Sequence, residues 1–110
     1  MQYIALIYNP ENGPDDPAVL EAYGAYTQDI IAKGHFKGGD ALEPSTTATC
    51  VSIRDGKRVV RDGPYAETKE QLGGFYLLEC ADLDEAIECA AAIPGAKDGV
   101  IEVRPIMVFS

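Results

Sequence analysis

The chain has 110 residues, 9 of them Lys or Arg and 18 Asp or Glu, for a net charge of −9, and 46% are hydrophobic. That is one domain with an ordinary apolar share, which excludes global disorder and is small enough for a partner subunit to help bury apolar surface. The acidity opposes nucleic acid and anionic lipid, and no basic cluster makes a local exception.

Residues 2–8 alternate Ile4, Leu6 and Tyr8 with Tyr3, Ala5 and Ile7, which predicts a central strand covered on both faces. The run is too short, and too polar at its start, for a signal peptide or a membrane span. Asn9 to Pro17 reads as a loop ending in Asp16-Pro17, an N-cap followed by proline at the first helical position. Val19, Leu20, Tyr23, Tyr26, Thr27, Ile30 and Ile31 then recur at helical spacing until Gly34.

From His35 to Thr49, Gly38-Gly39 and Pro44 predict a bent or bulged strand and a loop. Thr49 to Arg54 and Lys57 to Arg61 flank Asp55-Gly56, a two-residue hairpin signal. Glu67 to Leu72 is read as a short helical turn, and Gly73-Gly74 as opening a strand from Phe75 to Cys80, with close backbone packing or a bulge at the glycines. Asp82 and Glu85 form a capping-box pattern ahead of a helix that buries Leu83, Ala86, Ile87 and Ala90 and stops at Pro94-Gly95. Val100 to Phe109 closes the chain as a strand, with Pro105 marking an edge or bulge. The order is a split βαβ pattern with an elaborated hairpin. It predicts an α+β, ferredoxin-like sandwich on one antiparallel sheet, in a single domain over residues 1–110.

Arg61 to Tyr76 stands apart, with three glycines, a proline, five charged residues and three aromatics in sixteen residues. Asp62-Gly63-Pro64 and the run Ala66 to Gly74 resemble the signature of the DGPF domain, a branch of the YCII-related proteins, with Tyr65 in place of the usual Phe. The resemblance covers nearly the whole chain. It implies two ferredoxin-like subunits joining their sheets as a dimeric α/β barrel, so a homodimer is expected. Tyr8, Val51, Ile53, Phe75 and Leu77 are the candidate contact residues.

A metal site is not expected, because His35 is the only histidine and Cys50, Cys80 and Cys89 are scattered without Cys-x-x-Cys spacing. No cofactor is expected, and the odd, unpatterned cysteines suit a reduced, cytoplasmic protein. Asp62 has two readings: its carboxylate fixes the turn begun by Gly63-Pro64, or it serves as a general base or ligand anchor. Glu67, Lys69 and Glu70 form either a solvated face, worth about 0.2–0.5 kcal/mol per ion pair, or a cavity wall where Lys69 holds an anionic group. Tyr23 and Tyr26 fit the core stripe of the first helix as well as a substrate wall. YCII relatives place a histidine where this chain has Tyr23, so their His–Asp pair does not carry over. His35 remains an acid/base candidate on its own account.

Two functions follow as expectations. In one, a metal-independent isomerase or lyase acts on a small anionic or cyclic molecule. Asp62, His35 and Lys69 carry its chemistry, and Tyr8, Tyr23, Tyr26, Tyr65 and Glu67 bind its substrate. The other, suggested by the family's association with extracytoplasmic-function sigma factors, is a non-catalytic ligand-binding or regulatory module. In both, the segment from Asp62 to Lys69 borders the main cavity of each subunit, near the bend after His35 and the tyrosines of the first helix.

Overall fold

Strand alternation and two capped helices dominate the chain, and the computed structural model, which describes residues 1–10 and 16–109, resolves them into one sheet, one helical layer and one detached hairpin. The strand β1 (Gln2–Pro10) is followed by α1 (Pro17–Ala32), β2 (Phe36–Ala41), β3 (Thr49–Arg54) and β4 (Lys57–Asp62). Then come β5 (Glu70–Glu79), α2 (Leu83–Ala91) and β6 (Val100–Pro105). The middle of the expected loop after Asn9 lies outside the described residues.

The sheet order is β2-β5-β1-β6, with β1 antiparallel to both β5 and β6 and β2 antiparallel to β5. This is the ferredoxin-like arrangement that the element order predicts. The helices start where their caps dictate. Asp16 accepts a hydrogen bond from the Ala18 amide at 2.9 Å, and Asp82 accepts one from the Glu85 amide at 2.9 Å. Glu85 reaches back to accept from the Ala81 amide at 2.9 Å, one residue beyond the usual reciprocal partner, the Asp82 amide.

Both helices pack on the same face of the sheet. Tyr3, Ala5 and Ile7 of β1 and Tyr76 and Leu78 of β5 form one buried cluster with Tyr26 and Ile30 of α1 and Ala86, Cys89 and Ala90 of α2. The helical stripes are narrower than expected. Val19, Leu20 and Ile31 of α1 and Leu83 and Ile87 of α2 stay exposed, and Cys89 takes the buried place expected of Ile87. The sheet accepts only the middle of each stripe.

The other face of the sheet is uncovered. Ile4, Leu6 and Tyr8 pair across it with Leu77, Phe75 and Leu72, and all six are only half-buried. Coverage of β1 on both faces is therefore not met within one chain. The consequence is visible in the dimensions: the chain extends 47 × 44 × 17 Å with a radius of gyration of 15.8 Å, against about 13 Å for a compact chain of this length.

Three further differences have local causes. Asp55 and Gly56 take the positive φ values of 52° and 74° that the hairpin turn needs, yet β3 and β4 pair only with each other. Of the two placements expected of the hairpin, extending the main sheet or folding over its end, the first is not found: it forms its own two-stranded sheet. Residues 67–69 are not helical, and β5 already begins at Glu70, because residues 70–72 pair with Pro10, Asn9 and Tyr8 of β1. Gly73 is the extra residue of a bulge opposite Ile7/Tyr8, which meets the expectation of a bulge at this glycine pair. Strand β6 ends at Pro105 on a sheet edge, although the Ile106 amide still donates to the Gln2 carbonyl at 2.8 Å.

The β2–β5 contact admits no side chain at Gly39, where a Cβ would sit 2.6 Å from the Phe75 carbonyl oxygen; at Gly24 in α1 it would meet nothing within 4 Å. Gly39→Ala should therefore cost about 2–4 kcal/mol, whereas Gly24→Ala should add about 0.5–1 kcal/mol through helix propensity. Urea unfolding of the two variants checks both signs.

Candidate functional site

The uncovered sheet face carries a groove of about 1000 Å³. Tyr8, Leu72, Val100 and Glu102 form its floor, and their positions in the strand register put all four on the open face. One wall comes from residues 42–48 and the other from residues 64–71.

Backbone contacts join these walls to the scaffold. Leu42 donates to the Gly73 carbonyl at 2.9 Å, and Gly63, at φ 99°, donates to the Ala48 carbonyl at 2.7 Å. The turn at Gly63-Pro64 is gripped by side chains that the sequence did not single out for the purpose. Cys50 Sγ donates to the Gly63 carbonyl at 3.2 Å, and Arg61 Nη2 donates to the carbonyls of Pro64 and Tyr65, each at 3.2 Å. Gln71 Nε2 holds the next stretch, donating to the carbonyls of Ala66 at 2.9 Å and Thr68 at 3.0 Å. Among the described residues the Asp62 carboxylate makes no hydrogen bond and is exposed, so it does not fix the turn in the manner expected. Among the described residues the charged lining consists of Glu43, Glu70 and Glu102, without a Lys or Arg.

The expected site residues divide among three places. Tyr8 and Tyr65 line the groove. Glu67 and Lys69 alternate with the lining residues Ala66, Thr68 and Glu70 and are exposed outside it, as is Asp62 at the end of β4. Tyr23, Tyr26 and His35 lie across the sheet, on the helical side. The segment from Asp62 to Lys69 thus borders the groove through Pro64, Tyr65, Ala66 and Thr68, and the bend after His35 faces it as the opposite wall, but the expected proximity to the helix tyrosines is not found. The sheet separates them.

On the helical side, Tyr26 donates to the Cys89 carbonyl at 2.8 Å and packs edge-on against Tyr76, with ring centroids 5.3 Å apart. Burial pushes its hydroxyl well above the usual tyrosine range, with Cys89 and Tyr76 adding to the effect. Burial likewise raises Tyr23, against hydrogen bonds to Asn9 and Gly95 that lower it. Both hydroxyls are held neutral and act as packing and hydrogen-bonding groups.

Next to them His35 Nδ1 is 2.9 Å from the Glu79 carbonyl and 3.7 Å from Glu85 Oε1. One ring nitrogen of His35 and the sulfurs of Cys80 and Cys89 all lie within 4.8 Å of one another. Scattered spacing had argued against such a grouping, and tertiary structure overrides it. Burial pushes the Cys80 thiol up to about 12 and raises Cys89 as well. A second cavity of about 180 Å³, lined by His35, Cys89, Asp29, Lys33, Glu85 and Glu88 among others, opens beside this cluster.

This division of labour in the Gly63-Pro64 turn is measurable. Asp62→Asn should leave stability within about 0.5 kcal/mol, while Arg61→Ala should cost about 0.5–1.5 kcal/mol through its two lost hydrogen bonds. Amide exchange at residues 63–66 should accelerate only in the arginine variant.

A family model described as the YCII-related domain matches residues 1–110. A curated relative, "Uncharacterized protein R00369" of Rhizobium meliloti (strain 1021), is 37% identical over 117 residues, an alignment covering 99% of this chain and 94% of the relative. With an open-faced, ferredoxin-like sheet and a full-length match to that family model, the chain belongs to the YCII-related family.

Proposed function

We propose that the chain is a homodimeric small-molecule-binding protein of the DGPF branch, whose groove takes a compact, ring-bearing organic molecule that is uncharged or cationic. The observation that carries this reading is the lining of the groove. Tyr8, Leu42, Pro44, Tyr65, Leu72 and Val100 offer apolar and aromatic surface, and all the charged groups among the described lining residues are carboxylates. Concave, mainly apolar sites with a few polar groups are the usual form of small-molecule pockets. Three carboxylates without a cation repel an anion, so the expected preference for an anionic substrate gives way to the opposite charge.

Dimerisation rests on the uncovered face. The chain exposes 7992 Å², against about 5,900 Å² for a folded monomer of its mass. An apolar strip of Ile4, Leu6, Leu77, Phe75 and Leu72 on one face suits a twofold contact with the same strip of a second copy. Val51 and Ile53 stand on the separate hairpin, where they are 62% exposed. In this reading they embrace the partner rather than join the strip. Among the described residues no helix is long and apolar enough to cross a membrane. A cytoplasmic location is part of this proposal and rests on the unpaired cysteines.

A second reading, metal-independent acid/base catalysis in the same groove, is favoured by Glu43, Glu70 and Glu102, which bring proton-transfer groups to its lining. His35 cannot share a substrate with them in one chain, because the sheet lies between. Asp62 and Lys69 enter such a reaction only when a partner subunit carries them to the groove. The regulatory role beside a sigma factor requires no catalysis and rests on the DGPF resemblance.

The test begins with sedimentation, where a dimer is expected at micromolar concentration and Leu6→Lys should yield monomers. Thermal-shift screening with matched neutral, cationic and anionic ring compounds should then raise Tm for the first two classes. Tyr65 is 89% exposed, so Tyr65→Ala should leave Tm unchanged while weakening the best ligand by about tenfold. A monomeric wild-type protein overturns the dimer, and binding confined to anions overturns the ligand class. Product formation that Glu70→Gln abolishes would move the reading from binding to catalysis.

A further inference from the structure

We propose that His35, Cys80 and Cys89 form a binding site for a zinc-class divalent ion on the helical side of the sheet, independent of the groove. Three donors from three different elements converge there: the link between α1 and β2, the residue following β5, and α2. Two thiolates and an imidazole are the ligand chemistry that borderline-soft divalent ions select. Their donor atoms lie within 4.8 Å of one another, whereas tetrahedral coordination of zinc places such atoms about 3.5–3.8 Å apart. Side-chain adjustments of about an ångström close the difference.

The backbones that carry the ligands are already held. The His35 amide donates to the Ile30 carbonyl at 2.9 Å, and the His35 carbonyl accepts from the Glu79 amide at 2.8 Å. The Cys80 amide donates to the Met1 carbonyl at 3.0 Å, and the Cys89 carbonyl accepts from the Tyr26 hydroxyl at 2.8 Å. The contact between His35 Nδ1 and the Glu79 carbonyl, at 2.9 Å, is of the kind that orients metal-binding imidazoles when Nδ1 carries the proton. Glu85 Oε1 lies 3.7 Å from that same Nδ1 and accepts from the Ala81 amide at 2.9 Å, so it supports the ring from the side turned away from the ion, and water supplies the fourth ligand.

An approach path and a charge bias accompany the ligands. The small cavity beside the cluster is lined by Asp29, Glu85 and Glu88 together with Cys89 and His35. Lys33 also lines it, 3.0 Å from Asp29 in an ion pair, which leaves the two glutamates to attract a cation. Binding is a balanced exchange: the divalent ion takes two thiolates and a neutral imidazole, and two protons leave the sulfurs to water. Neither sulfur changes oxidation state. Affinity should therefore rise with pH.

The experiment uses the reduced, full-length chain under anaerobic conditions, with cobalt(II) as the spectroscopic probe and zinc as competitor. One equivalent of cobalt should produce a near-ultraviolet sulfur-to-metal charge-transfer band and the visible bands of a four-coordinate site, and one equivalent of zinc should bleach both. Cys80→Ser and Cys89→Ser should each remove most of the sulfur band. His35→Ala should weaken cobalt binding by at least about tenfold, and Cys50→Ser should change nothing. The cysteines lie in the core, so zinc protection of Cys80 and Cys89 from alkylation in the Cys50→Ser protein supplies a second readout without altering them. No sulfur band at stoichiometric cobalt overturns the site. So does a band that disappears with Cys50, or undiminished alkylation in the presence of zinc.

Discussion

A four-stranded sheet with both helices on one face has an unmet requirement on the other, and most of what is distinctive in this molecule follows from it. Tyr3, Ala5 and Ile7 are sealed under α1 and α2, while Ile4, Leu6 and Tyr8 on the same strand are only half-covered. Among the described residues the largest fully buried side chains are Leu78 and Ile93. A core this thin gives a 110-residue chain little stabilisation from burial. Covering the open face with a second copy would add apolar burial where the single chain lacks it.

The groove is a product of the same asymmetry. Its floor is the end of the open face, and most of each wall is an irregular segment that strand pairing does not hold, β5 taking over only at Glu70 and Gln71. Side chains and isolated backbone bonds do that work: Cys50 and Arg61 on the Gly63-Pro64 turn, Gln71 on the stretch after Tyr65, and the Leu42–Gly73 and Gly63–Ala48 contacts. Much of the signature from Arg61 to Gly74 is thereby explained as architecture. Arg61 and Gln71 are pins, Gly63 supplies a left-handed turn, and Gly73 supplies a bulge that lets β5 pair with the whole of β1. Tyr65, 89% exposed at the groove wall, has no such structural task.

The helical side has a different chemistry. Tyr26, Cys80 and Cys89 are held in their neutral forms by burial, and hydrogen bonds fix the backbone around them. The two faces of the sheet therefore present separate environments, an acidic and largely apolar groove on one and a sulfur–imidazole cluster on the other. Side chains on opposite faces of one strand, such as Tyr8 and Ile7, belong to different compartments although they are neighbours in sequence.

Local signals in the sequence determined the elements, since caps, turns and alternation act over a few residues. Asp16-Pro17, Asp82 with Glu85, Asp55-Gly56 and the alternation of residues 2–8 each produce the structure their chemistry requires. The split βαβ order then leaves little choice of sheet topology. Signals that depend on a distant partner were not legible. Residues 67–72 carry helix-forming side chains, but pairing with β1 draws residues 70–72 into a strand and leaves 67–69 irregular. Helical spacing overstates the width of each buried stripe, because the sheet, not the helix, decides how much apolar surface is accepted. The site shows the same division: the signature marked one wall of the groove, but which of its residues face inward depends on the loop's path. His35, Cys80 and Cys89 are up to 54 residues apart in sequence, and only the packing of α2 against β5 and the end of α1 brings their side chains together.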